Sequence, residues 1–326
     1  MSAKKTVLVT GATGFIGANL AHRLVEEGHD VHLLVRKNTS HFPWRIADIY
    51  DQVRMQFYTP HDIESIDRIF AIANPEWVFH LAAHGAYSWQ IDKQQILESN
   101  YVLTAQLLDA AVAHGVKSFV NTGTSSEYGQ KDHAPKEDEP LEPLSYYAAT
   151  KAGATTLCRF TARAHDINIP TLRLYSVFGP FEQPNRLMPN LIACGFTGNW
   201  PQLVDENCAH DFVYVEDAVS AYLLAAQRTD GDRGAVFNVG TGIQTSLKEV
   251  TSLAKDLMGI ESAPTFSSMP NRTWDNDVWV CDHTKVETEL NWRPKFSFSD
   301  GFKKMIRWYR DSPHLHSMYK EPLSAD

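Results

Sequence analysis

A chain of 326 residues can bury a large core, as one big α/β domain or as a domain with a smaller lobe. Its 43% apolar and 21% charged residues are ordinary for a soluble globular protein, and a net charge of −9 without any Lys/Arg run argues against nucleic acid as a partner. No apolar stretch is long enough to span a bilayer, so no membrane partner is expected. The scattered Cys158, Cys194, Cys208 and Cys281 form no Cys-x-x-Cys pair, which indicates neither a metal site nor a disulfide framework. The N-terminus runs into a strand without a signal-peptide core and reads as cytoplasmic.

In chain order, short β-rich runs alternate with helical patterns through the first half. Strands are expected at 6–10, 31–35, 53–58, 77–81 and 117–122, with helices at 14–27, 63–73 and 100–114 between them. A helix beginning near Tyr147 leads to further strands at 170–174 and 234–239. This alternation predicts an α/β fold with a doubly wound parallel sheet of the Rossmann type. The second half is less regular, with 180–210 rich in Pro, Asn and Gly and 262–280 loop-like. These insertions are expected to form a smaller C-terminal substrate-binding lobe over the C-terminal edge of the sheet, where ligands of such folds bind. The expected division is 1–176 plus 211–240 for the dinucleotide-binding domain and 177–210 plus 241–326 for the lobe. The tail after Arg310, with His314 and His316, reads as a frayed terminus and not as a metal site.

Gly11-Ala-Thr13-Gly14-Phe15-Ile16-Gly17 stands where the first strand turns into the first helix. Gly11 allows the tight turn, Gly14 the close approach of backbone to a pyrophosphate, and Gly17 close helix–strand packing. The helix N-terminus then offers unpaired N–H groups to phosphate. The second strand ends in Arg36-Lys37, where an NAD site usually carries Asp or Glu. Cations there favour NADP(H), with NAD(H) possible. Asp62-Ile63 follows the third strand, where adenine would lie, and Leu81-Ala82-Ala83 follows the fourth. Small residues there let the backbone pass close to a cofactor, although core packing explains Ala82 and Ala83 almost as well.

Tyr147-Ala-Ala-Thr-Lys151 names a chemistry. Four residues apart on a helix, the two side chains share a face. A free phenol has a pKa of about 10, and a nearby ammonium is expected to lower it enough for Tyr147 to act as general acid or base. With Thr124-Ser125-Ser126 after another strand, the three motifs point to a dinucleotide-dependent oxidoreductase.

With these pieces in place, about 5–310 resembles the extended short-chain dehydrogenase/reductase family, the nucleotide-sugar epimerases, dehydratases and ketoreductases. The resemblance rests on the glycine motif, His80-Leu-Ala-Ala83, Asn100, Thr124-Ser-Ser-Glu-Tyr-Gly129, Tyr147/Lys151 and Arg173-Leu-Tyr-Ser-Val-Phe-Gly-Pro180. Asp211-Phe-Val-Tyr-Val-Glu-Asp217, Phe237-Asn-Val-Gly240, Arg272 and Trp292-Arg-Pro294 extend it. It implies that Thr124 hydrogen-bonds the reacting sugar oxygen, that Tyr147 exchanges its proton, and that Lys151 binds the nicotinamide ribose. Tyr175 and Val177 would line the nicotinamide pocket. Ser176 would touch the diphosphate of a nucleotide-diphosphate sugar, and Arg186, Leu187 and Arg272 its nucleotide.

Two departures from the family pattern matter. His210 stands where many relatives carry Arg, so Arg186 is the candidate to replace that contact. Dehydratases follow the catalytic Thr with Asp-Glu or Ser-Glu, whereas an ungapped alignment puts Ser125-Ser126 there and Glu127 one residue late. In an extended segment that shift sends a side chain to the opposite face, unless a one-residue deletion before Tyr128 restores it. The leading expectation is therefore NADPH-dependent reduction of a nucleotide-linked 4-keto-(6-deoxy)hexose. An NAD-dependent nucleotide-sugar 4-epimerase is second and a 4,6-dehydratase third. Leu103, Leu107, Leu108, Ala111 and Val112, with Ala152, Ala154, Leu157 and Phe160 on the Tyr147 helix, suggest more apolar surface than one sheet face needs. In the resembling family these two helices pair across a two-fold axis, which implies a homodimer.

Overall fold

The structure, a computed structural model, describes residues 3–37, 43–60, 62–270 and 278–320. The first half runs β1 (Thr6–Thr10), α1 (Phe15–Glu26), β2 (Asp30–Arg36), a 3-10 helix (Trp44–Gln52), β3 (Arg54–Tyr58), α2 (Ile63–Ala73) and β4 (Trp77–His80). There follow α3 (Lys93–Leu97), a π turn (Glu98–Val102), α4 (Leu103–Ala113), β5 (Ser118–Thr124), a 3-10 turn (Ser125–Tyr128), α5 (Tyr146–His165) and β6 (Thr171–Leu174). The remainder comprises β7 (Ser176–Phe178), α6 (Leu187–Gly195), β8 (Ala209–Tyr214), α7 (Val215–Gln227), β9 (Val236–Val239) and β10 (Gln244–Ser246). The chain then forms α8 (Leu247–Met258), α9 (Thr284–Leu290), α10 (Phe298–Asp311) and α11 (His316–Lys320).

The expected doubly wound sheet is present. Seven strands lie in the order β3-β2-β1-β4-β5-β6-β9, and every pairing between them is parallel. Period-two alternation sends Val7 and Val9 into one core and Leu8 into the other, so both faces are covered. β1 is flanked by β2 and β4, and the chain leaves it in opposite directions on the two sides. Such a switch point opens a crevice at the C-terminal strand ends, here beside Thr10 and His80, which pair in register. A second sheet, β10-β8-β7, carries β7 parallel and β10 antiparallel to β8, and packs with α6, α8 and α10 around a third apolar cluster.

The helix expected at 100–114 starts earlier, because Asp92 caps α3 by accepting hydrogen bonds from the N–H groups of Gln94 and Gln95 at 2.9 and 3.1 Å. The apolar residues assigned to a helix pairing are mostly spent inside the chain. Leu103, Leu107, Leu108, Ala111 and Ala154 are buried, and Phe160 alone of the nine is strongly exposed at 67%. The tail is not frayed through His316. The His316 ring stacks on Tyr309 with centroids 4.3 Å apart, its Nε2 lies 2.8 Å from the Tyr309 carbonyl, and Tyr319 is buried against Trp44.

Candidate active site

The glycine loop is shaped by close backbone approach. Gly11 sits at φ +71°, and a Cβ there would lie 2.6 Å from the Ala82 nitrogen, so the turn after β1 and the turn after β4 touch through main chain. A Cβ on Gly17 would collide with the Gly11 carbonyl, which is why α1 can start so close to β1. No side chain caps α1 at Gly14, so its first amides are left for a ligand.

Beneath this loop, a buried network ties β1, β4 and the π turn together. The Thr10 hydroxyl accepts from the N–H groups of Leu81 and Ala82, which leaves its hydrogen for Nδ1 of His80 at 2.8 Å. The other ring nitrogen then donates to the Thr104 hydroxyl, also at 2.8 Å, and Thr104 donates to the Asn100 carbonyl. Burial, then the charge of Lys151, pushes His80 down to about 3, so it stays neutral. The π turn aims the Asn100 side chain at the 84–90 loop, pairing with both N–H and C=O of His84 at 2.8 Å and donating to Thr150 of α5 at 3.0 Å.

These elements surround a cavity of about 820 Å³. It is lined by Gly11, Thr13, Gly14, Phe15, Ile16 and Gly17 at one end and by Thr124, Ser125, Ser126 and Tyr147 in the middle. Tyr175, Ser176, Val177, Arg186 and His210 line a further stretch, and Arg36 with Leu81, Ala82 and Ala83 completes the wall. The structure therefore gathers most of the residues singled out from sequence. It does not bring Lys37, Asp62, Ile63, Lys151 or Leu187 to the wall. Lys37 is exposed beyond the end of β2, Asp62 caps α2 through the Ser65 N–H at 3.0 Å, Ile63 is exposed, and Leu187 packs on the third apolar cluster. Arg272 lies outside the described residues. The wall also includes His84, Tyr87, Glu182 and Trp279, none of which stands in a motif of the sequence.

β5 runs two residues further than expected and delivers Thr124 as its last residue. Ser145 caps α5 through the Ala148 N–H, which sets Tyr147 in the first turn facing Thr124. Thr124 and Tyr147 line the cavity together, and the Thr124 side chain favours the ionised phenol. The expected lowering of this phenol by Lys151 is not what the structure shows. Burial pushes Tyr147 up to about 12, against the opposing pull of Thr124, and Lys151 is itself pushed down by burial. Lys151 is 1% exposed and its Nζ has no hydrogen-bond partner. An ammonium is not left so without reason. It and the open amides of α1 fit a dinucleotide whose ribose hydroxyls and phosphates would satisfy them.

Glu127 does not reach the cavity. Its Oε2 accepts from Arg173 Nε at 2.9 Å, and its Oε1 from the Thr124 N–H at 2.9 Å and the Thr155 hydroxyl at 3.1 Å. Ser125 and Ser126 line the cavity beside Thr124, and they do so on a 3-10 turn, not in the extended segment assumed from sequence.

The model of the NAD dependent epimerase/dehydratase family matches residues 7–240. The chain belongs to that family. Among members of the NAD dependent epimerase/dehydratase family, the dTDP-glucose 4,6-dehydratase of Streptomyces griseus is 29% identical, over 97% of this chain and 96% of the relative. The UDP-glucose 4-epimerase of Thermotoga maritima, solved with UDP-glucose, superposes with a TM-score of 0.83 at 29% identity, covering 94% of this chain and 99% of that one. That of Thermus thermophilus, in complex with NAD, has a TM-score of 0.82 at 27% identity over 93% and 98% of the two chains. The chain is thus an enzyme of the oxidoreductase-type, extended short-chain dehydrogenase/reductase group. Its similar relatives carry the names of epimerases and dehydratases, which favours the second and third of the activities expected from sequence over the leading one.

Proposed function

We propose that the enzyme is a nucleotide-sugar 4-epimerase. The observation that carries this reading is the Thr124–Tyr147 pair flanked by hydroxyls and not by carboxylates, with Glu127 spent on Arg173. Oxidation and reduction at a sugar carbon need one proton exchanger and one hydrogen-bond donor to the reacting oxygen. Elimination needs an acid–base pair besides, and the cavity wall offers Ser125 and Ser126 in its place. The UDP-glucose 4-epimerases among the relatives support the same choice.

In this reading residues 1–176 and 211–240 hold the dinucleotide, and 177–210 and 241–326 hold the nucleotide-sugar. Bound cofactor would supply hydride acceptance and return at the hexose C4. Tyr147 takes the proton from the C4 hydroxyl and gives it back after the ketone has turned its other face. Thr124 hydrogen-bonds that oxygen in both directions and holds it against the phenol. Lys151 binds the nicotinamide ribose beneath them, while Arg186, Ser176, His210 and Arg272 hold the nucleotide and its diphosphate. Purified protein is expected to convert UDP-glucose or dTDP-glucose to its C4 epimer without consuming added cofactor, followed by proton NMR. Loss of water from the hexose would overturn this and restore the dehydratase.

One observation favours a second reading, an NADPH-dependent 4-keto-sugar reductase. Arg36 ends β2, lines the cavity and lies 3.4 Å through Nη2 from the Ser99 hydroxyl, where an NAD site usually carries a carboxylate. A planar guanidinium suits a 2′-phosphate. A charge-assisted hydrogen bond contributes about 1.5–3 kcal/mol, so NADPH should then bind about tenfold to a hundredfold better than NADH by calorimetry, with Arg36→Asp reversing the order. Preference for NAD in the wild type would remove this reading.

We also propose a homodimer through the outer faces of α3, the π turn and α5. Leu97, Tyr101, Tyr146 and Phe160 are exposed there, at 42%, 37%, 51% and 67%. Light scattering at micromolar concentration should give twice the chain mass of 36.7 kDa, and a monomer would rule the dimer out.

A further inference from the structure

The loop between β7 and α6 carries a carboxyl that the proposed chemistry leaves unused. Glu182 is 5% exposed, yet it lines the same cavity as Thr124 and Tyr147. Its Oε2 has no hydrogen-bond partner, and its Oε1 lies 3.8 Å from Arg186 Nε, beyond hydrogen-bond reach. Burial pushes this carboxyl up to about 8, against the opposing pull of Arg186 and of the Gly179 backbone, so it keeps its proton at neutral pH.

The loop is built to hold the group where it is. Arg45 donates from Nε to the Phe181 carbonyl at 2.7 Å, from Nη2 to Gln183 at 2.9 Å and from Nη1 to the Thr13 carbonyl at 3.3 Å. Asn19 of α1 donates to the Pro180 carbonyl at 2.9 Å. Phe181 is held at φ +68°, a conformation that a bulky side chain adopts only when its surroundings impose it, and it packs on the rings of His22, Trp44 and Trp308. One guanidinium therefore fixes both the glycine loop and the segment that presents Glu182.

We propose that Glu182 is a specificity-determining residue that hydrogen-bonds a hydroxyl of the hexose in the bound nucleotide-sugar. The proposal rests on the nucleotide-sugar reading of the site. A protonated carboxyl presents one O–H and one acceptor oxygen, and a sugar hydroxyl offers the complement to both. A diphosphate offers acceptors only, and its charge would repel the ionised carboxylate. The charged and titratable groups acting on or beside Glu182 are Arg186 at the start of α6, Tyr87 on the loop after β4 and Tyr319 on α11, with Arg45 of the 3-10 helix bonded to the adjoining Phe181 and Gln183. Burial raises both phenols, so over a neutral to mildly alkaline range Glu182 is the group among these that ionises.

The test is calorimetric titration with UDP-glucose and with dTDP-glucose at saturating NAD, from about pH 6.5 to 9.5, on the wild type, Glu182→Gln and Glu182→Leu. Wild-type affinity should hold level to near the shifted carboxyl value and then fall by up to about tenfold per pH unit. Glu182→Gln keeps a donor and an acceptor but cannot ionise, so its affinity should stay near the wild-type value and level across the range. Glu182→Leu loses both and should bind about tenfold more weakly, with NAD affinity unchanged. A level wild-type profile, or full affinity in the leucine variant, overturns the proposal and leaves the function standing. If the leucine variant does not fold, the glutamine profile decides alone. Binding of neither sugar nucleotide by the wild type overturns the nucleotide-sugar reading and this proposal with it.

Discussion

Tyr147→Phe is expected to fold, to bind the dinucleotide like its parent, and to turn over about 10²–10⁴-fold more slowly. The ring stays on α5 with its packing intact, and only the ionisable hydroxyl beside Thr124 is lost. The aliphatic hydroxyls of the wall, on Thr124, Ser125 and Ser126, are far weaker acids than a phenol, and Glu127 is committed to Arg173. The loss should appear in kcat and kcat/KM alike, because the proton moves only in the transition state. Burial holds the wild-type phenol near 12, so the phenolate form is scarce until something in the complex favours it. Lys151, buried with an unpartnered ammonium, is the group placed to respond to that complex. Near-wild-type turnover in the phenylalanine variant, with chemistry shown to be rate-limiting, would remove Tyr147 from the mechanism.

The parts of this site that announce themselves in the sequence are those whose residue type is required by geometry. Gly11 and Gly17 are legible because any Cβ there meets backbone. Tyr147 and Lys151 are legible because a spacing of four puts them on one helical face. Strand ends are less so. Arg36 lines the cavity while Lys37 is exposed, since consecutive residues at a strand end point to opposite sides and nothing in Arg-Lys says which faces in. Asp62 could be read as a ligand, but its local hydrogen bond to Ser65 claims it as a helix cap. Glu182, Tyr87 and Trp279 were hidden for a different reason. Their place in the wall depends on how an irregular loop is pinned from afar, as Arg45 pins 180–183 across more than a hundred residues of sequence.

Glu127→Gln should cost stability before it costs chemistry. Glu127 and Arg173 are 0% and 2% exposed, and each is fully engaged beyond the pair. Arg173 donates from Nη1 to the Tyr128 hydroxyl at 2.8 Å and to the Glu137 carbonyl at 3.2 Å, and its guanidinium lies 4.6 Å over the Tyr128 ring. Tyr128 passes the chain on to Asn238 of β9 at 2.7 Å. The amide keeps the shape of the carboxylate but leaves a buried cation unneutralised, and breaking such a pair on one side typically costs about 3–5 kcal/mol. Urea unfolding of Glu127→Gln should show a deficit of that order. The double variant Glu127→Gln/Arg173→Met removes the stranded charge and should recover part of it, since a buried pair is seldom worth more than well-packed apolar replacements. The expected sign separates two roles for this carboxylate. An elimination acid, as in a dehydratase, would lose activity on amidation while unfolding at the parent's urea midpoint. A structural anchor that fixes the Thr124 backbone through its N–H loses stability first, and activity only as Thr124 drifts from Tyr147.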